Sequence, residues 1–249
     1  MEITATMKRV AWGISLVAGL AALSGCATYT TPAAGVNLSS LTDADIAELM
    51  RLEPASEFPA RIAVARAQAP GYSSRTSRGY GDGRYSVVTV RDIEDEADFE
   101  RLSRLEMVAG VAPLSRLLLP QNMESIKDLR VAAASLKTDL LLIYSVDTAF
   151  HVEGTPLGPL SAITLGFLPN KKAFVTSTTS GILVDVRTGY VYGAAEATET
   201  EEQRTTIWGT QDAIDAARIV AEKGSFKAFV TEFETLWNSV VAGHAGRQQ

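Results

Sequence analysis

Cysteine and histidine are almost absent from this chain of 249 residues, which has one cysteine and two histidines. A single cysteine forms no intramolecular disulfide and no thiolate metal cluster. Two histidines, His151 and His244, are too few for a typical histidine metal site. The chain also lacks the signatures of α/β-hydrolases, P-loop proteins, dinucleotide-binding folds and zinc proteases. The sequence therefore predicts no metal, no catalytic group and no diffusible cofactor.

Positive charge is scarce as well, because 23 lysines and arginines stand against 29 aspartates and glutamates, for a net charge of −6. General nucleic-acid binding needs a basic footprint, so nucleic acid is not an expected partner. Hydrophobic residues make up 46% of the chain and charged residues 21%, which is typical of a globular protein with a sizeable core.

The one cysteine closes an apolar run near the start of the sequence. Met7-Lys8-Arg9 has the charge of a signal-peptide start, whereas the residues before it have no base. The apolar run Val10–Leu23 is too short to cross a bilayer as a helix, which takes about 20 residues. It ends in Leu23-Ser24-Gly25-Cys26, the pattern of a lipobox. We expect a signal peptide over 1–25 with Met7 as its true start, and covalent diacylglycerol and N-acyl lipid on Cys26.

Residue 27 indicates the membrane. In bacterial lipoproteins, which this leader resembles, an aspartate after the cysteine commonly signals inner-membrane retention, and here the residue is Ala27. The resemblance implies a lipid anchor in the outer membrane, on its periplasmic face. We then expect a lipidated N-terminus, tether and short helix over 26–57, a periplasmic domain over 58–242 and a disordered tail over 243–249.

Strand and helix patterns alternate through the expected domain. Strands are predicted at 61–66, 85–90, 114–119, 140–146, 172–186 and 190–200. Helices are predicted at 42–52, 95–107, 126–136, 211–222 and 226–240. Gly224-Ser225 is interpreted as the end of one C-terminal helix and the cap of the next. The sequence predicts an α/β (α+β) sandwich, with a mixed sheet of about five to six strands, flanking helices and a C-terminal helical pair.

One apolar segment, 155–172, interrupts the alternation and is bounded by prolines and lysines. It suits three roles: dipping into the bilayer, lining an oligomer interface, or packing as a short buried helix. Its candidate interface residues are Leu157, Leu160, Ile163, Leu165 and Phe167.

Two charged stretches also suggest contacts. Arg75, Arg78 and Arg84 surround the loop Gly79–Gly83 and form a candidate contact for lipid head groups or wall carboxylates. The acidic run Asp92–Glu96 precedes a predicted helix, so the helix dipole explains it better than a cation site does.

The order of the central motifs resembles a known family. Leu129-Arg130-Val131-Ala132-Ala133-Ala134 leads into Asp139-Leu140-Leu141-Leu142-Ile143-Tyr144, and the stretch Gly181–Tyr192 follows. This pattern is similar to the periplasmic domain shared by the curli-secretion channel lipoprotein, the penicillin-binding-protein activator lipoproteins and related lipoproteins. The resemblance covers about 58–242 and implies a non-enzymatic protein that assembles with other envelope proteins, in some members as a ring. The two long membrane hairpins of the channel member are missing here.

Three functional hypotheses follow. The first is a non-catalytic outer-membrane lipoprotein that presents its domain to an envelope protein or to peptidoglycan. The second is a homo-oligomeric ring in a secretion complex, with segment 155–172 at its interface or in the membrane. The third is an enzyme acting on an envelope glycan, which usually needs two carboxylates across a cleft.

Overall fold

The sheet and its helices are built from sixteen elements. The structure is a computed structural model and describes residues 27–29, 35–36, 46–152, 155–156, 163–165, 172–204 and 211–247. In chain order the elements are β1 (Ala27–Tyr29), α1 (Ile46–Leu49), β2 (Ala60–Gln68), β3 (Gly79–Tyr80), β4 (Asp82–Gly83), β5 (Ser86–Val88), α2 (Glu96–Ser103), β6 (Val108–Pro113), β7 (Asn122–Met123), α3 (Ile126–Ser135), β8 (Leu140–Val152), β9 (Thr155–Pro156), β10 (Ile163–Leu165), β11 (Lys172–Asp185), β12 (Val191–Arg204) and α4 (Gln211–Arg247).

Eight of the strands form one mixed sheet in the order β12-β11-β8-β2-β5-β3, with β6 beside β2 and β9 beside β8. Strand β2 is parallel to β8 and β6, whereas β11 is antiparallel to both of its neighbours, β8 and β12. The predicted α+β class with a mixed sheet is therefore confirmed. The sheet has more strands than expected because β3 and β9, with two residues each, are too short to give a sequence pattern.

Helices cover both faces of this sheet. Helix α3 buries Ile126, Leu129, Ala132 and Ala133 against one face. It begins with a capping box, in which the Asp128 carboxylate accepts a hydrogen bond from the backbone N–H of Ser125. Helix α4 covers the other face with an aromatic stripe, and its fully buried members are Phe226, Phe229, Phe233 and Trp237.

The predicted strand at 114–119 is wrong. The strand of this region is β6, which lies earlier and pairs in parallel with β2. Residues Arg116–Leu118 form a 3₁₀ turn, and the Ser115 hydroxyl accepts a hydrogen bond from the N–H of Leu117. The leucines that suggested a strand are partly on the surface, since Leu117 is 87% exposed.

The predicted C-terminal helical pair is also wrong, because α4 is one continuous helix of 37 residues. The Ser225 side chain does not cap a new helix; its hydroxyl bonds to Thr179 at 2.8 Å and to Ser177 at 3.0 Å on β11. Gly224 allows close approach, since a Cβ there would lie 3.3 Å from the Glu199 side chain of β12. The helix also continues through His244, whose ring lies 4.6 Å from that of Phe58, so the predicted tail is helical as far as Arg247.

The predicted tether over 26–57 contacts the domain at several described positions, including β1, which pairs with β10. Gly35 forms an antiparallel bridge with Gln68, and Val36 packs against the core beside α3. Ala55 and Ser56 both donate hydrogen bonds to the carboxylate of Asp185. Within the predicted helix 42–52, the described helical residues are those of α1, all of which are exposed. The folded domain therefore includes residues before the predicted boundary at 58.

Candidate functional site

A group of buried charged side chains lies between the sheet and α4. Arg66, on β2, is only 2% exposed and donates to Asp92 at 2.8 Å, to Glu94 at 3.4 Å and to the Tyr72 hydroxyl at 3.0 Å. Tyr144 on β8 donates its hydroxyl to Glu94 from the other side. Burying a guanidinium is costly unless charges and hydrogen bonds compensate it, and here they do.

A second buried arginine lies on α4 next to the first. Arg218 is fully buried and is held by Asp215 at 2.9 Å and by Glu222 at 2.6 Å, three residues before it and four after it on the helix. The Thr148 hydroxyl of β8 donates to Glu222 at 2.9 Å. The Thr76 hydroxyl joins the two groups, because it accepts from Arg218 and donates to Asp92. We call these residues, with those around Arg66, the ionic network.

The ionic network shifts the pKa values of its own members. Burial alone would raise the pKa of Asp92, but the Arg66 guanidinium and the Thr76 hydroxyl outweigh it, so the pKa lies below its ordinary value. Burial, followed by the negative charge of Glu94, raises the pKa of Tyr144 well above its usual range. Burial also raises the pKa of Tyr72. The network therefore holds Asp92 ionised and both phenols protonated at neutral pH.

One atom of the network lacks a protein partner among the residues that the structure describes, and that atom is Arg66 Nε. A cavity of about 20 Å³ lies beside Arg66, Glu94 and Tyr144. That space suits a single water molecule.

The acidic run Asp92–Glu96 is explained by this network rather than by the helix dipole alone. Asp92 and Glu94 bind Arg66, whereas Asp95 caps α2 and accepts hydrogen bonds from Lys223 and Lys227 of α4. Those two lysines hold the pKa of Asp95 below its usual value. Within the described part of the chain, no group of three His, Cys, Asp or Glu side chains is placed to hold a metal.

A buried carboxylate outside the ionic network, that of Asp185, accepts hydrogen bonds at the turn between β11 and β12. Asp185 is fully buried, and its carboxylate accepts from the backbone N–H groups of Ala55, Arg187 and Thr188 and from the Ser56 hydroxyl, at 2.8–3.0 Å. Burial alone would raise the pKa of Asp185, but these donors lower it below the ordinary value. Asp185 therefore fastens the start of the domain to the hairpin.

Helix α3 covers only part of its face of the sheet. On the same face, the parts of β8, β11 and β12 that extend beyond α3 are polar and open. Hydroxyls pair across the strands: Thr176 with Thr200 at 3.0 Å and Thr178 with Thr198 at 2.8 Å. Ser180 donates to Glu196 at 2.6 Å. We call this surface the open face. A cavity of about 390 Å³ lies on it beside Gly35–Val36, and Asp147 and Glu196 are the carboxylates that line it.

Strand β12 forms one end of the sheet. It pairs with β11 from Val191 to Arg204, and no strand described in the structure pairs with its other side. Four glutamates lie on it, at 196, 199, 201 and 202, and no lysine or arginine occurs between Arg187 and Arg204. The sheet thus ends in a long acidic edge.

The predicted surface sites fall in different places. Arg75, Arg78 and Arg84 are all exposed around β3 and β4, at the opposite end of the sheet from β12. Their contact with anions stays a prediction. The Gly79–Gly83 loop contributes β3 and β4, and β4 pairs in parallel with β7.

The segment 155–172 is described only in part. Ile163 and Leu165 belong to β10, which pairs antiparallel with β1 so that Leu165 lies opposite Ala27. Leu157, Leu160 and Phe167 lie outside the described residues, as do Leu23, Ser24, Gly25 and Cys26. Among the helices that the structure describes, none is long and apolar enough to cross a membrane.

The two histidines pack against aromatic rings. His151 stacks on Phe174, with ring centroids 4.9 Å apart and an interplanar angle of 12°, at the edge of the open face. His244 lies against Phe58, as described above.

Sequence reasoning missed the ionic network and the role of Asp185. A signal for Arg218 was present, since an arginine with acids at i−3 and i+4 forms a ladder along a helix. A second signal was Arg66, an arginine that directly follows the apolar run Ile62–Ala65. Neither signal names partners on other elements, which lie up to 142 residues away in sequence.

Comparisons with known proteins add little. No family model matches this chain, and no curated protein is significantly similar to it. A crystal structure of a Xanthomonas campestris protein of the DUF330 family shares 14% identity and a TM-score of 0.30, covering 80% of this chain and 95% of that one. A hypothetical protein from Chlamydia trachomatis shares 10% identity and a TM-score of 0.27, covering 70% and 95%. Similarity this low carries no argument about function.

Proposed function

We propose that this chain is a non-catalytic lipoprotein of the outer membrane that presents its α+β domain to the periplasm and assembles there with another envelope component. The observation that carries the proposal is the lipobox Leu23-Ser24-Gly25-Cys26, which ends in the only cysteine of the chain. Acyl chains contribute about 0.8 kcal/mol per buried CH₂, so a cysteine with more than one chain anchors a protein firmly.

The distribution of reactive groups supports a binding role rather than chemistry. In the ionic network, the buried carboxylates of Asp92, Glu94, Asp215 and Glu222 each contact an arginine. Groups paired in this way hold β2, β8 and α4 together. Polar surface remains accessible on the open face and along the β12 edge, and both suit recognition of a partner.

Replacing Cys26 tests the anchor. Cys26→Ala should abolish labelling by radioactive palmitate and move the protein out of the membrane fraction, because the thiol that receives the diacylglycerol is gone. Ser24→Ala keeps a small residue before the cysteine and serves as the matched control, with labelling retained. Unchanged labelling of Cys26→Ala would refute the proposal.

The membrane assignment has its own test. Ala27→Asp should shift the protein from the outer-membrane to the inner-membrane fraction of a sucrose gradient, while Ala27→Ser should not. If both variants were distributed equally between the two fractions, residue 27 would not determine which membrane holds the protein.

The partner is sought by photo-crosslinking in cells from positions 157, 160 and 167, compared with exposed Val131 on α3. A crosslink to a second envelope protein supports the assembly role. Retention on purified peptidoglycan would favour the wall as partner, and turnover of it would overturn the non-enzymatic assignment.

The ring-forming alternative is favoured by one observation. β10, within the candidate interface segment, pairs with β1, which begins at the residue after Cys26. If Cys26 is acylated, this part of the segment lies at the membrane surface, where neighbouring copies would meet. A monomeric mass of the full chain in detergent and in lipid nanodiscs would rule out the ring.

A further inference from the structure

The edge of the sheet at β12 is the largest unpaired backbone surface in the described part of the chain. β12 has 14 residues, about 46 Å at 3.3 Å per residue, and pairs on one side only. The opposite end of the sheet is β3, which has two residues. An open edge of this length is a template for another strand, and proteins that avoid such pairing use prolines, bulges, coverage or charge.

Strand β12 is hydrogen bonded on one face and packed against α4 on the other. On one face Thr198 and Thr200 are hydrogen bonded to Thr178 and Thr176 of β11. On the other face α4 packs closely, as shown by the approach of Glu199 to Gly224 and of Leu236 to Gly193. A strand that is already ordered loses little conformational entropy when a partner binds.

The charge on this edge has one sign and a defined spacing. Glu199 lies on the α4 side, and Glu201 shares that side because alternate residues of a strand face the same way. Glu196 and Glu202 lie on the open face with Thr198 and Thr200. The α4 side of the edge therefore offers the carboxylates of Glu199 and Glu201 to a bound strand.

The spacing of the glutamates on β12 favours some partner strands over others. A second copy of β12 pairing antiparallel about Glu199 would place Glu199 opposite Glu199 and Glu196 opposite Glu202, and like charges directly opposite are destabilising. A strand with basic residues two positions apart would instead place them opposite Glu199 and Glu201. Cross-strand pairs of opposite charge are favourable.

We infer that β12 is a docking edge for an extended, basic segment of another protein, which adds as a strand to the sheet with lysine or arginine side chains opposite Glu199 and Glu201. The inference rests on the proposed function, because it names the kind of partner that the anchored domain takes. Backbone hydrogen bonds supply the affinity, and the glutamates supply the choice of partner.

The test uses the full chain in detergent and a fluorescent nine-residue peptide of alternating threonine and lysine. We expect this peptide to bind at least tenfold more tightly than its threonine–glutamate analogue, as measured by anisotropy. Methylating every backbone amide nitrogen of the lysine peptide should weaken binding at least tenfold, because its strand can no longer donate hydrogen bonds.

Variants locate the site. Glu199→Lys with Glu201→Lys should reverse the preference, so that the glutamate peptide binds better than the lysine peptide. Glu199→Gln with Glu201→Gln should weaken the lysine peptide without the reversal, and it serves as the second variant if the first fails to fold. Glu232→Lys is the matched control, since it makes the same charge change at an exposed position on α4 and should leave binding unchanged.

Two outcomes overturn the inference: equal binding of the methylated peptide, which shows charge attraction alone, and the absence of peptide binding at 1 mM peptide. Loss of peptide binding with Cys26-dependent acylation intact removes only the docking edge. Absent acylation with peptide binding intact removes only the proposed function.

Discussion

Strands β8, β11 and β12 carry polar side chains on both faces, and the two faces use them differently. Toward α4, Thr148, Ser177 and Thr179 are buried and bonded to one another, to Glu222 or to Ser225. On the open face, Thr178 and Thr198 form the same kind of bond in contact with solvent. Neighbouring residues of one type therefore stand in opposite environments, and burial decides which of them the fold depends on.

The two faces should also differ in how much their side chains contribute to the stability of the fold. A buried hydrogen bond or ion pair is expensive to break because the remaining partner stays desolvated, whereas an exposed one is replaced by water. The buried face should therefore tolerate little change, and the open face should tolerate much. Substitutions on each face test this difference.

The largest effect is expected for Arg218→Met. Removing the guanidinium leaves Asp215 and Glu222 buried without a counter-charge, which should lower the free energy of unfolding by about 3–5 kcal/mol in urea denaturation. Arg104→Met is the control, because the pair of Arg104 with Glu100 is more than half exposed and should contribute about 0.3–0.5 kcal/mol. Equal losses in the two variants would contradict the comparison.

Asp185→Asn should cause the next largest loss of stability. The amide nitrogen of asparagine cannot accept hydrogen bonds, so some of the donors from Ala55, Ser56, Arg187 and Thr188 lose their acceptor. We expect a loss of about 1–3 kcal/mol in the same urea experiment. Asp147→Asn, on the open face, should change stability by less than about 0.5 kcal/mol. A loss at position 147 as large as that at 185 would show that burial is not the deciding factor.

Acid should act through the buried carboxylates. The pKa values of Asp92 and Asp185 are lowered in the folded protein, so their contribution is present above the unfolded pKa of about 3.9 and is lost as pH falls through the lower folded value. The urea concentration at the unfolding midpoint should therefore decrease as the pH is lowered below 4. The difference between the parent protein and Asp185→Asn should shrink over the same range. A difference that stays constant from pH 7 to pH 3 would assign the acid sensitivity to other groups.

The smallest effects are expected for a pair of adjacent threonines. Thr179→Val removes a buried bond to Ser225 and should cost about 1 kcal/mol. Thr178→Val removes an exposed bond to Thr198 and should cost less than about 0.5 kcal/mol. Thermal or urea unfolding of both variants measures the difference. A larger loss for Thr178→Val than for Thr179→Val would contradict the view that burial decides which hydroxyl the fold depends on.

Local signals were the ones that the sequence revealed. Helix α3 was predicted at 126–136, and the capping box of Ser125 and Asp128 that begins it involves only four neighbouring residues. β8 was recognised from its apolar run, which parallel pairing and coverage on both faces explain. The paired strands β11 and β12 were recognised from Gly189, whose φ of 80° suits the turn between them.

Signals that depend on distant partners were missed or misjudged. Gly224-Ser225 was interpreted as a helix boundary, because nothing nearby shows that Ser225 bonds to β11 and that Gly224 lies against β12. Asp185 was placed in the predicted strand 172–186, and nothing nearby indicated its bonds to Ala55 and Ser56, which span about 130 residues. The leucines at 117–119 matched a strand pattern that the Ser115 cap overrides. The acidic β12 edge was visible in the sequence, but its position at the end of the sheet was not.

The continuity of α4 affects when the domain can fold. Its 37 residues extend about 55 Å at 1.5 Å per residue, and they close the face that buries both Arg66 and the aromatic stripe. This helix follows every strand that the structure describes, so a growing polypeptide cannot complete its core until residues 211–247 have been made. Contacts of such long sequence separation form slowly. If residues 1–25 act as the proposed signal peptide, a polypeptide whose core stays incomplete until its last helix is made is well suited to export before it folds.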